Sequence, residues 1–371
     1  MPVKEWDVII VGAGLAGLAL ARLLRPRCRV LILERRVKPA DGPRIGESLP
    51  GAASVLLQEL GLLERFLSAS HRVRGSALSI WDQETPIWQD ALRDPSGPGW
   101  LLDRRAFDQL LYEGAIEAGV TIHTGCRQTE ITRLNNGWQV HLSPEETTHK
   151  APVLIDASGR SSAIARALGL KRLADDNLLC LYTFLKCRRE DKDATLRTCA
   201  DEHGWWYTVQ IPQGKRVLAY HLDSTDPLWR QLRYPEHFLD YAKRLPFIAD
   251  IIQEQSSEAL KLHPAGTAML DISNLSQAGK GFLAIGDALI TFDPISSQGM
   301  FHALATAASA AKAIKAGFPE NKKALESFQA EMLNVCQRYL KHLHITYSGP
   351  ERFSHHPFWS NRCEMTPQAY R

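Results

Sequence analysis

Gly12, Gly14 and Gly17 are the residues of this chain whose spacing speaks most directly of chemistry. They form a G-x-G-x-x-G segment with Ala13, Leu15 and Ala16 between them. The first glycine permits a tight turn, the second lets a pyrophosphate approach the backbone, and the third lets a helix pack closely on a strand. The apolar, β-branched run Val8-Ile9-Ile10-Val11 precedes the segment and Leu18-Ala19 continues it. That order predicts a buried parallel strand, a glycine turn and a helix whose N-terminal N–H groups face an anion. A second strand is expected over Arg29 to Leu33, with Glu34 at its end, where a carboxylate can accept hydrogen bonds from both hydroxyls of a ribose. Arg35 opens the basic turn beside it. The combination favours a bound dinucleotide over a merely structural βαβ turn.

Further polar residues cluster at expected loops. Arg44, Glu47 and Ser48 lie in Pro43-Arg44-Ile45-Gly46-Glu47-Ser48-Leu49-Pro50. They read equally well as groups along a cofactor and as solvated loop residues. Val153-Leu154-Ile155 is a strand that stops at Asp156-Ala157-Ser158-Gly159. Gly281 to Ile285 is another, stopping at Gly286-Asp287. Both endings put polar backbone at the carboxyl edge of a sheet, where open α/β sheets bind ligands. Ser296 and Ser297 can orient a substrate, or Ser296 can cap the helix after Gly299 and Met300. No His/Asp pair offers a general base; His302 reads as a core or surface histidine.

The elements that must position these groups can be outlined. A helix is expected from Ala52 to Leu67, begun by Glu47 or Ser48, and short Trp-rich strands over 71 to 100. Another helix follows Asp103, a fitting N-cap for Arg104 onwards. Asn135-Asn136-Gly137 joins a hairpin of 128–134 and 137–142. From 178 to 224 four strands follow one another without a helix, which predicts an antiparallel sheet inserted into the first fold. Residues 235 to 262 read as helical. Trp205 and Trp206 are adjacent on a strand, so they face opposite sides. The expected division is a discontinuous nucleotide domain (1–70, 101–175, 263–320), a substrate domain (71–100, 176–262) and a helical tail (321–371).

Composition sets the outer limits. The 371 residues are 44% hydrophobic and 23% charged, with net charge +3, too mild to argue for nucleic acid. The seven cysteines are scattered without a C-x-x-C, which suits reduced thiols rather than disulfides or a zinc site. No run is long enough for a membrane span, and only six residues precede the first strand. A cytoplasmic protein without membrane partner or metal is expected.

The three strand-ending motifs, in this order, resemble the flavoprotein monooxygenases of the p-hydroxybenzoate hydroxylase fold. That resemblance implies a Rossmann-like α/β FAD-binding domain with an inserted antiparallel substrate sheet. Gly286-Asp287 looks like the family's ribityl-binding segment, and Arg104 like the arginine that reaches FAD. The Asp156 segment is similar to the family's Asp-Gly segment, with Ala157 in place of glycine. Gly299 and Met300 open a helix whose dipole suits the electron-rich end of the flavin.

Gly46-Glu47-Ser48-Leu49-Pro50 and Asp293-Pro294-Ile295-Ser296-Ser297-Gln298-Gly299 resemble the branch of tryptophan halogenase-like flavoproteins. Gly204 to Pro212 is similar to its Trp-x-Trp-x-Ile-Pro segment, with the second Trp displaced. A halogenase needs a lysine after the Gly-Glu-Ser loop, and none lies between Lys38 and Lys150. Nor does a glutamate stand beside Ser296-Ser297. The resemblance therefore implies a hydroxylase, similar to the accessory flavoproteins of tryptophylquinone formation. In these an aromatic ring, in some cases a Trp of a partner polypeptide, takes oxygen from a flavin C4a-hydroperoxide. Trp205, Trp206 and Pro294 are the expected substrate-lining residues. The electron source is NAD(P)H or externally reduced flavin, since no second G-x-G-x-x-G is present. A reductase of the geranylgeranyl reductase type, favoured by a cysteine near the flavin, and a non-enzymatic flavin-binding partner protein are the other readings.

Overall fold

The computed structural model describes residues 3–37, 45–143, 146–187, 191–252 and 258–364. Its centre is a five-stranded parallel sheet in the order Phe282–Ala284, Val153–Asp156, Val8–Val11, Val30–Glu34 and Thr121–Thr124. Val8 to Val11 and Val30 to Leu33 are buried along their length, because helices cover one face and a second sheet the other. On the helical face, Leu15–Leu24 packs against Arg104–Glu117 and the Ala-rich helix Gly299–Lys315. Alanine at 303, 307, 310 and 311 keeps that last helix close to its neighbours.

A seven-stranded sheet stands against this domain. Its order is Lys261–Pro264, Leu178–Lys186, Lys215–Asp223, Gly204–Ile211, Leu196–Asp201, Ala77–Ile80 and Ile87–Gln89. Its pairs are antiparallel except Leu196–Asp201 with Ala77–Ile80. Alternation along Gly204–Ile211 divides its side chains. Trp205, Val209 and Ile211, with Tyr207 beside them, join a core that includes Leu101, Ile45, Ile295 and Tyr347. Trp206 joins a second core with Tyr220, Phe238 and Ile248, under short helices. The strand and helix expectations from 178 to 262 hold, except that 235–262 resolves into helices Pro235–Ala242 and Pro246–Ile252 and the edge strand Lys261–Pro264.

Two further differences concern the first domain. The helix expected from Ala52 to Leu67 is two, Ala53–Glu59 and Leu63–Leu67, broken at Gly61, whose φ of +64° no helix accommodates. Glu47 and Ser48 do not begin it. Ser48–Leu49 is a short strand paired with Trp100–Leu101. The Asn-Gly hairpin forms as expected, with Leu134 opposite Gly137. In the long helix Lys322–Tyr347, Ala324, Phe328, Met332, Cys336 and Tyr339 enter the core of the parallel-sheet domain. Among the described residues no helix is long and apolar enough to cross a membrane.

Candidate functional site

The carboxyl ends of the parallel strands carry the predicted ligand groups. At Gly12, φ is +114° and a Cβ would run into the Ala157 carbonyl. A Cβ on Gly17 would collide with the Gly12 carbonyl, so the third glycine does allow helix and strand to touch. Gly14 is different. Among the described residues no atom beyond its own local chain lies within 4 Å of the place its Cβ would take. The protein does not need glycine there; a ligand that approaches the backbone does. The first-turn N–H groups of Leu15–Leu24, around Leu15 and Ala16, open onto the same space. Glu34 accepts from the Ala13 N–H at 2.9 Å and from the Arg36 N–H at 3.0 Å. It thereby ties the glycine turn to the second strand, and its carboxylate retains lone pairs for a ribose. The Arg35 side chain is exposed beside it.

The other strand endings divide into structural and open groups. Asp156 is fully buried and accepts from the N–H groups of Ser158, Ile164 and Ala165, at 2.8 to 3.0 Å. Its carboxylate therefore secures the turn after the strand, with Ala157 packed under the glycine turn and Gly159 at φ +73°. Asp287, after Gly286, is half-buried, and burial raises its carboxyl to about 6 while Arg160 and Arg104 pull it down. Arg104 does not itself extend into open space. Its Nη1 donates to the Ile45 and Gly46 carbonyls at 3.0 Å each, and Nη2 donates to Asp108 at 3.2 Å. Asp103 caps this helix as expected, accepting from the N–H groups of Arg105 and Ala106. Arg44 lies outside the described residues.

Arg104 thus fixes the Gly46-Glu47-Ser48 loop to its own helix, and Tyr207 meets that loop from the large sheet. Glu47 is buried, and its Oε2 accepts from the Tyr207 hydroxyl at 3.3 Å. Glu47 Oε1 and Ser48 Oγ are buried without a hydrogen-bond partner among the described residues. Burial pushes the Glu47 carboxyl up to about 7, although Arg104 and the Tyr207 hydroxyl oppose the rise. The sequence offered no sign of Tyr207, because it lies 160 residues from Glu47.

The second loop behaves differently from expectation in part. Asp293 accepts from the Ile295 N–H, and Ser296 Oγ donates to the Asp293 carbonyl at 2.8 Å. Ser296 therefore secures the turn, while Ser297, at φ +50°, has an exposed side chain. Pro294 is half-buried at the start of this turn. The Ala-rich helix then begins at Gly299 and Met300, and at Gly299 a Cβ would again meet open space. His302 is a core residue stacked on Phe292 at 4.4 Å, its imidazole lowered to about 4 by burial and hence neutral.

Both tryptophans need correction as lining residues. Trp206 is fully buried on the far side of the large sheet, stacked on Tyr220 at 4.3 Å and donating to Asp201 at 2.9 Å. Trp205 faces the cluster with Ile45, Leu101 and Ile295 but is also buried, stacked on His221 at 3.7 Å and donating to the Tyr347 hydroxyl at 3.1 Å. Tyr207, Ile45 and Ile295 are the half-buried residues at that seam. Cys180 shares it, but burial pushes its thiol well above the usual range, which removes the thiolate a cysteine-based reaction needs. The surface cleft beside Trp6, Arg29 and Lys150 flanks the amino ends of the strands, opposite the ligand edge.

An open glycine turn on a parallel sheet, the Glu34 carboxylate at the end of the second strand, the Asp287 carboxylate and a helix N-terminus at Gly299 fit a dinucleotide with a long polar linker. They define a flavin adenine dinucleotide fold. The chain belongs to the FAD-binding domain family, whose model matches residues 5–342, and FAD is its cofactor. It is 27% identical over 97% of both chains to the putative FAD-dependent oxidoreductase LodB of Marinomonas mediterranea. Two solved structures share the fold. The flavin-dependent halogenase CmlS superposes with TM-score 0.83 at 23% identity, over 97% of this chain and 68% of that one. PqsL, a probable FAD-dependent monooxygenase from Pseudomonas aeruginosa, superposes with TM-score 0.76 at 22% identity, over 95% and 99%. The chain is an FAD-dependent oxidoreductase.

Proposed function

We propose that this protein is a monooxygenase that inserts one oxygen atom of dioxygen into an aromatic ring. The ring is an indole, carried as a Trp side chain of a partner polypeptide during tryptophylquinone formation. The observation that carries the proposal is a halogenase-like pair of loops without the halogenase lysine. Ile45 and Ile295, from the two loops, enter one apolar cluster on the large sheet, and no lysine occurs between Lys38 and Lys150. The full-length similarity to a putative FAD-dependent oxidoreductase supports the same branch.

When bound and reduced, FAD supplies the activation of dioxygen. The protein's own residues do the positioning. Gly12 to Gly17 and Glu34 would hold the adenosine diphosphate end, and Asp287 would take the ribityl hydroxyls. The N–H groups at Gln298 to Met300 would stabilise negative charge that gathers on the bound flavin. Ile45, Ile295 and Tyr207 keep water from the seam, which strengthens each of these electrostatic interactions.

The test is oxygen uptake by the FAD-loaded protein with NAD(P)H, with a chemically reduced flavin, or with both, in the presence of free indoles or a Trp-bearing partner. Substrate-dependent uptake with a hydroxylated product is expected. Uptake that yields only hydrogen peroxide with every ring offered, or a halogenated product when bromide is added, contradicts the proposal.

A further inference from the structure

The seam between the two domains holds one acid that the functional reading above leaves without a task. Glu47 is 2% exposed, and its backbone is fixed from three sides. Its carbonyl accepts from the Leu102 N–H at 2.7 Å, the next residues pair with Trp100–Leu101, and Arg104 clamps the two preceding carbonyls. The carboxyl is held just as narrowly, yet among the described residues it has no ion-pair partner. Arg104 spends its Nη groups on carbonyls and Asp108. The Tyr207 hydroxyl reaches Oε2 from the facing strand, and Oε1 is left buried with no partner, beside the equally unpartnered Ser48 Oγ. A structural buried acid would have its lone pairs filled, as Asp156 has. Glu47 has one oxygen buried at the seam with no hydrogen-bond partner among the described residues, although the Glu47 and Gly46 N–H groups also favour the ionised carboxyl.

We propose that Glu47 is the proton acceptor of this site, its Oε1 taking up the proton that an aromatic substrate releases, with Tyr207 as the residue that positions the carboxyl. After oxygen is added to a ring carbon, that carbon's C–H bond breaks. The electron pair returns to the ring, and the proton passes to Oε1. The oxidant is dioxygen, one atom of which enters the ring while the other leaves as water, with two electrons from reduced FAD and two protons from solvent. This role rests on the hydroxylation reading, but the ionisation it needs does not.

The groups facing Glu47 set when it ionises. Among the described residues they are the Glu47 and Gly46 N–H groups, Arg104 from its helix, the Tyr207 hydroxyl with Arg74 beyond it, and the Cys180 thiol, kept neutral by burial. Removal of water is the largest influence and raises the carboxyl to about 7, so it can exchange a proton near neutral pH. Arg104 and Tyr207 both favour the ionised form.

The test is a pH titration of oxidised flavin absorbance in the FAD-loaded protein, without substrate. A perturbation with its midpoint near 7 is expected in the native protein and its loss in Glu47→Gln. Tyr207→Phe removes a donor to the carboxylate, so the midpoint should move to higher pH. If Glu47→Gln fails to hold FAD, the Tyr207→Phe shift decides. No perturbation near neutral pH, or an unchanged one in both variants, overturns the proposal. Turnover that stays at the native rate and pH profile in Glu47→Gln also overturns it, while leaving the hydroxylation reading intact. A titrating Glu47 in a protein that hydroxylates nothing supports the acid and contradicts that reading alone.

Discussion

The Tyr347 hydroxyl donates to Asp293 Oδ2 at 2.7 Å and accepts from Trp205 Nε1 at 3.1 Å. One hydroxyl thus joins the end of the long helix, the Asp293–Gly299 loop and the large sheet. Asp293 is fully buried, and its carboxyl is pushed up to about 6 by burial, against the pull of the Ile295 N–H and Tyr347. Tyr347→Phe should leave both the carboxylate and the indole N–H short of a partner. The expected loss is on the order of 1.5–3 kcal/mol of stability at neutral pH, read by denaturant unfolding. An unchanged midpoint would show that the loop is held by other means.

The same carboxyl gives a pH signature. Its value in the unfolded chain is near 3.8, so between about 4 and 6 the folded state keeps a proton that the unfolded chain has lost. Its contribution to stability therefore falls as pH rises through that window and levels off above it. In Tyr347→Phe the carboxyl rises further, and the decline should extend to higher pH. Paired unfolding curves across the window check the sign. A decline confined to the native range would contradict the assignment.

Gly14→Val should give a folded protein without FAD, because nothing in the protein occupies the space its side chain would enter. The checks are the flavin-to-protein ratio and the circular dichroism spectrum. Full flavin content in this variant would place the cofactor elsewhere.

Asp287→Ala should weaken FAD binding roughly tenfold or more, the equivalent of a lost charged hydrogen bond. Apoprotein stability should not fall, since an ionised, half-buried carboxylate costs the fold more than it returns. Equal FAD affinity in native and variant protein would remove Asp287 from the ribityl site.

Arg362 binds Asp223 through two hydrogen bonds, at 2.7 and 3.0 Å, and Asp176 through a third at 3.1 Å. All three are largely buried. Arg362→Ala leaves two buried carboxylates uncompensated and should cost on the order of 3–5 kcal/mol. A thermal unfolding temperature within a degree or so of native would show that the last helix is not held by this cluster.

The glycine turn, Glu34, the Asp103 cap and the Asn-Gly hairpin were legible in the sequence because each depends on residues close together in the chain. The break at Gly61 was less so, since apolar spacing continues across it. The seam was not legible. Glu47 with Tyr207, and Asp293 with Tyr347, are pairings that only the packing of the large sheet on the first domain creates. Alternation revealed that Trp205 and Trp206 face opposite ways. It could not reveal that His221, Tyr347, Tyr220 and Phe238 would cover them both.

The most direct measurement is the mass of the tryptophan peptide of the proposed partner. The FAD-loaded protein, a reductant and isotopically heavy dioxygen are incubated with a Trp-bearing precursor polypeptide of a tryptophylquinone enzyme, and the digest is sequenced by mass spectrometry. The account predicts one heavy oxygen atom on a Trp ring, dependent on FAD and on the protein. Heavy oxygen found only in water and hydrogen peroxide, with none added to any Trp ring, would contradict it.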